Sequence, residues 1–176
     1  MRAGIDSQKR TLAVAVVDDT GRQQQVQQFA NDPKGHLRLG KGRADQGVTR
    51  VGIEGSGHLG RAAAAWLVEV GFDVRVVPCG FTVRELRRRA GAGKSDPIDT
   101  LAIARVTARE EDLVPARGTG AGVKIERGTT ISRCRLLWES WVSERGRLSF
   151  ARRPSGRRRW LLAGLRGRRQ SSSQGW

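Results

Sequence analysis

The chain has 176 residues, with 33 Lys and Arg against 17 Asp and Glu, a formal net charge of +16. Its longest apolar run, residues 62–68, is seven residues, and residues 12–17 make one of six, against the ~18 of a membrane helix, and no N-terminal stretch has the regions of a signal peptide. Two cysteines, Cys79 and Cys134, make no disulfide framework and fit a reducing cytoplasm. Secretion and membrane spanning are therefore not expected, and polyanions are the natural partners.

The expected elements begin with two strands, residues 2–6 and 11–18. The second is apolar on both faces, as a central strand is. Asp18-Asp-Thr-Gly21 reads as a turn, and residues 23–29 as a polar strand near an edge. Asn31-Asp-Pro-Lys-Gly35 opens a helix to about residue 41, with Pro33 in its first turn. Residues 49–54 form a strand, 55–60 a turn and 61–70 a helix ended by Gly71. Another strand, 73–77, stops at Pro78. A basic helix follows at 82–90, then a glycine hinge at 91–93, then a last helix at 96–109. The order β-β-β-α-β-α-β-α-α describes a mixed sheet with helices on its faces.

Charge is uneven along the chain. Residues 1–117 carry a net +5 and residues 118–176 a net +11, with thirteen Arg, one Lys and no Asp in the second part. That part also holds Trp138, Trp141, Trp160 and Trp176, four of the five tryptophans. The expectation is one α/β domain over 1–117 and a basic, low-complexity, irregular or partly helical tail over 118–176. Its Arg, Gly and Ser bias matches a shifted reading frame of GC-rich DNA. Residues 136–148 alternatively suit a basic amphipathic helix against a membrane or partner, and the Arg–Trp interleaving suits nucleic acid.

Three motifs need sorting. Gly55, Gly57 and Gly60 match G-x-G-x-x-G after a strand and before a helix. A dinucleotide site, however, wants an acid at the far end of the next strand, and here Asp73 opens that strand. A tight strand-to-helix turn accounts for the glycines better. Gly93-Lys94-Ser95 resembles the end of a P-loop, but the position needing the first glycine is Arg88. Asp96-Pro97-Ile98-Asp99 reads as a capped helix start. The same geometry sets two carboxylates on one side of a helix N-terminus.

Four carboxylates then form one pattern. Asp6 ends the first strand in Gly4-Ile5-Asp6, and Glu54 ends another in Gly52-Ile53-Glu54. Asp96 and Asp99 open the last helix. With the two strands parallel neighbours, Asp6 and Glu54 emerge side by side, facing the helix across a cleft. Such oxygen donors suit hard divalent cations, and paired ions of this kind serve phosphodiester chemistry. His58, in the glycine turn, reads as a solvated side chain rather than a ligand. Arg84, Arg87, Arg88, Arg89 and Lys94 approach the same end and suit phosphate backbone as well as a solvated helix face. Trp66, on an apolar helix, belongs in the core.

Gly4-Ile5-Asp6, Val51-Gly-Ile-Glu-Gly-Ser-Gly57 and Gly93-Lys-Ser-Asp-Pro-Ile-Asp99 together resemble the DEDD insertion-sequence transposases over residues 2–117. The resemblance implies a ribonuclease H-like (RuvC-like) fold and Asp6, Glu54, Asp96 and Asp99 as the catalytic, metal-holding tetrad for Mg²⁺ or Mn²⁺. It implies DNA transposition in the cytoplasm at the nucleoid, with DNA, a structured guide RNA and homo-oligomers as partners. Relatives continue into a serine-bearing domain, which is not recognisable in residues 118–176, so a truncated and inactive remnant is the expectation. Many relatives carry an aromatic residue where Leu59 stands here. Two other readings are a non-catalytic nucleic-acid-binding protein and an actin-like phosphotransferase fragment, the latter opposed by length.

Overall fold

The computed structural model describes residues 1–88, 96–118 and 130–145, and the backbone of two further strands, Leu148–Arg152 and Arg158–Leu162. Strands β1 (Arg2–Ser7), β2 (Thr11–Val17) and β3 (Gln23–Ala30) form an antiparallel meander. On its other side β1 pairs in parallel with β4 (Arg50–Ile53), and β4 in parallel with β5 (Asp73–Val76). The sheet order is β3-β2-β1-β4-β5. β2 is buried on both faces, as its apolar run requires. β3, at the edge, carries glutamines instead. The turn between them needs Gly21 at φ +79°. There Asp18 accepts hydrogen bonds from the Thr20 hydroxyl and the backbone N–H groups of Arg22 and Thr20, which hold its carboxyl below the usual range.

Side chains alternate between two different layers. One layer holds α1 (Pro33–Asp45) and α2 (Arg61–Glu69) against Ala3, Ile5, Leu12, Val14, Val16, Val51 and Ile53. The other holds α3 (Cys79–Arg87) and α4 (Asp96–Arg109) against Ala15, Val17 and Val77. Asp32 caps α1, accepting from Gly35 N at 2.6 Å, with Pro33 as its first residue. The helix runs past the expected end near residue 41 to Asp45, and two of its three glycines, Gly35 and Gly40, serve packing. A Cβ on Gly40 would sit 2.7 Å from the Trp66 ring. α3 begins at Cys79, three residues before the expected start. Extended Pro78 (ψ 138°) occupies the cap position, and Phe81 N donates to Pro78 O at 2.9 Å. The glycine hinge expected at 91–93 lies outside the described residues.

After α4 the chain turns along the β5 edge. Val76 N donates to Val114 O and Ala116 N to Val74 O, each at 2.8 Å, with Pro115 bridged to Arg75. A proline suits that edge because it has no N–H to leave unpaired.

The tail contributes a helix, α5 (Thr130–Arg145), which packs on α1. Among its described side chains Cys134, Trp138 and Val142 are buried. Trp138 is 2% exposed and meets Trp66 edge-on, ring centroids 5.8 Å apart at 81°. The helix expected at 136–148 to meet a membrane or partner is thus found at 130–145, packed on its own chain. β6 (Leu148–Arg152) and β7 (Arg158–Leu162) form an antiparallel pair. No described helix is long and apolar enough to cross a membrane, and Cys79, exposed, and Cys134, buried, are not joined in a disulfide.

Candidate metal centre

The two Gly-Ile-acid sequences lie in register on adjacent parallel strands. Gly4 pairs with Gly52 and Ile5 with Ile53, and Glu54 N donates to Ile5 O at 3.1 Å. Asp6 and Glu54 follow directly, at the same end of both strands. Alternation puts each acid on the face of its own glycine, two residues back. That is the α4 face, and the glycines are what let α4 approach. A Cβ on Gly4 would lie 2.2 Å from Ala104 N, and one on Gly52 1.8 Å from Thr107 Oγ1. The helix lies on backbone at both crossings. Thr107 Oγ1, the atom nearest Gly52, donates to Ile103 O at 2.7 Å within its own helix.

The direction of α4 decides which end faces the acids. Ala104 lies over Gly4, and Arg105 Nε donates to Gly21 O at 3.0 Å, past the end of the sheet where Arg2 pairs with Val17. The first turns therefore lie toward the Asp6 end. Asp99 stands five residues before Ala104, about 7.5 Å along the axis at 1.5 Å per residue. Its Oδ1 is buried and has no hydrogen-bond partner among the described residues. A buried carboxylate oxygen in that state lacks a donor or a cation, and it fits an oxygen-ligated divalent ion. Asp96 is the first residue of α4, but its side chain lies outside the described residues. Among the described residues no three Asp, Glu, His or Cys side chains are gathered closely enough to hold a metal.

Sequence reasoning missed Thr82. Its hydroxyl donates to Glu54 Oε2 at 2.9 Å, and it is 4% exposed. One turn on, Glu85 is 6% exposed and accepts from Arg109 Nη1 at 2.7 Å, tying α3 to α4. That bond, desolvation notwithstanding, raises the Arg109 guanidinium above its ordinary value. Thr82 and Glu85 sit three apart on the inward side of α3, with Phe81 and Leu86 half-buried and the other residues exposed.

The glycine turn is structural. Gly55 has φ +71°, and a Cβ on Gly60 would meet Ser7 Oγ at 2.5 Å. His58 and Leu59 are exposed, the former in the solvated position expected. Arg84, Arg87 and Arg88 project from the outer side of α3. Arg84 lies over the Phe81 ring at 5.5 Å, and Arg88 stands 3.9 Å from Glu85. Arg89 and Lys94 lie outside the described residues.

The sequence pattern of the DEDD transposase family of the IS110 type matches residues 3–122. The match spans β1 to α4 and all four acids. No curated protein matches the chain.

Proposed function

This chain belongs to the IS110-type DEDD transposases, and its mixed five-stranded sheet is the ribonuclease H-like fold of that family; from that premise we propose a domain over residues 1–117 that binds DNA and divalent metal for transposition. Asp6, Glu54, Asp96 and Asp99 hold Mg²⁺, or Mn²⁺ in its place. The bound ions would lower the pKa of an attacking water or hydroxyl and neutralise the leaving oxygen. The parallel register that brings Asp6 beside Glu54 is the observation that carries this reading. The orphaned Asp99 Oδ1 adds to it.

Arg84, Arg87, Arg88 and Lys94 hold the phosphate backbone of DNA, or of a structured guide RNA, beside the acids. Assembly is as a homo-oligomer at the nucleoid. The domain gives way after residue 117 to a basic tail. A second reading, nucleic-acid binding without catalysis, draws on the absence of a closed three-ligand cluster among the described residues.

Mn²⁺ titration of the full chain, read by the electron paramagnetic resonance of free Mn²⁺, separates the two. Binding is expected, and Asp6→Asn or Glu54→Gln should weaken it by more than about 100-fold, beyond the effect of losing a supporting residue. Unchanged affinity in both variants would sink the metal reading, leaving salt-sensitive DNA binding to support the second.

A further inference from the structure

We propose that Thr82 is a positioning residue for Glu54: its hydroxyl fixes the carboxylate so that Oε1 is presented to a divalent cation. The inference rests on the metal reading above and adds a residue to it.

Helical threonines commonly spend their hydroxyl proton on the carbonyl one turn back. Thr107 does so, bonding Ile103 O at 2.7 Å. Thr82 is also helical, yet its proton goes to a side chain of another element, Glu54 Oε2 at 2.9 Å. Glu54 ionised can only accept, so the direction of the bond is fixed. Oε2 is engaged, while Oε1 has no hydrogen-bond partner among the described residues.

The support behind Thr82 is rigid. Thr82 and Glu85 are the two buried polar residues of α3, one turn apart. Thr82 joins α3 to the end of β4, and Glu85 joins it to Arg109 of α4. α3 thus ties the strand that carries Glu54 to the helix that carries Asp99. The partner chosen for Glu54 is neutral. An arginine there would compete with a cation for the carboxylate, whereas a hydroxyl orients it and leaves its charge intact. Ligating carboxylates are characteristically held this way.

The test uses the purified full chain, with Mn²⁺ affinity measured by titration and thermal stability measured in EDTA. Thr82→Val keeps the shape and removes the hydroxyl, and it should weaken Mn²⁺ binding by about 10-fold or more. Thr82→Ser restores the donor and should bring affinity to within about threefold of the parent, in keeping with a restored supporting bond. Thr82→Val that loses thermal stability yet binds Mn²⁺ like the parent overturns the proposal, since the hydroxyl would then be structural only. Thr82→Ser as weak as Thr82→Val overturns it as well. Parent protein that binds Mn²⁺ with no loss in Glu54→Gln overturns the underlying metal reading instead, and the Thr82 proposal with it.

Discussion

The two faces of the sheet are packed on opposite plans. On the α1–α2 face the helices stand off on large side chains: Leu12, Leu39, Leu67, Trp66 and, from the tail, Trp138. On the α4 face the contact is backbone against backbone at Gly4 and backbone against the Thr107 side chain at Gly52. A face built on large side chains has many ways to adjust, because rotamers absorb small errors. A face built on glycine has almost none, because at Gly4 nothing lies between helix and strand, and at Gly52 only the short Thr107 side chain does, tied to Ile103 O. The acids sit on the second face, so their separation is set by main-chain geometry.

Three substitutions test that contrast. The largest expected effect is Trp138→Ala, which should cost about 4 kcal/mol in denaturant unfolding and leave Mn²⁺ affinity unchanged. A weakened Mn²⁺ response would break the separation of the faces. Gly52→Ala should cost about 3 kcal/mol, and it should weaken Mn²⁺ binding too, since Thr107 and α4 must shift to admit the methyl. Loss of stability with intact affinity would show that the helix position is not what sets the site.

The smallest effect concerns the two ends of one strand. β4 starts at Arg50, whose Nε lies 2.9 Å from Asp73 Oδ2, and Arg75 Nε adds a bond to Asp73 Oδ1 at 2.8 Å. Burial pushes the Asp73 carboxyl up, but the bonds from Arg75 and Arg50 outweigh it and hold the group below its ordinary 3.8. The lowered value means that folding favours the ionised form. Its stabilisation is therefore present above the unfolded value and fades as pH falls through the folded one. Asp73→Asn should lose about 1 kcal/mol at neutral pH, the scale of a partly screened pair. It should also flatten the acid limb of the stability curve below about pH 4. At the other end of β4, Glu54 has a hydroxyl in place of two guanidinium groups. One strand thus carries a carboxylate committed to structure at one end and one kept available at the other.

Much of this was legible in the residues. The element order through α4 matches the expected order, because strand alternation, Asp32-Pro33 and the terminal glycines are local signals. The repeated Gly-Ile-acid placed Asp6 and Glu54 at strand ends, and pairing the strands in parallel made them neighbours. Thr82 was not legible, because its partner lies 28 residues away and only the crossing of α3 over the end of β4 brings them together. The last turn of α1 was not legible either: the helix was expected to end near residue 41, just before Gly42, and it runs on to Asp45. The docking of α5 had a faint signal, Cys134, Trp138 and Val142 at four-residue spacing, which the arginine-rich composition of the tail overshadowed.

The contact between Trp66 and Trp138 has an optical consequence. Two indoles at 5.8 Å and 81° are close enough for their transition dipoles to couple, and coupled chromophores give a paired positive and negative band in circular dichroism. One indole belongs to α2, the other to a helix that enters the chain beyond the family-matched span. Trp138 also couples to Trp141 within its own helix, at 5.1 Å, so it is the part of the signal lost in Trp66→Phe that reports whether the tail is seated. Heating, shortening the chain or adding nucleic acid can be followed by watching that band appear or vanish, with no label attached.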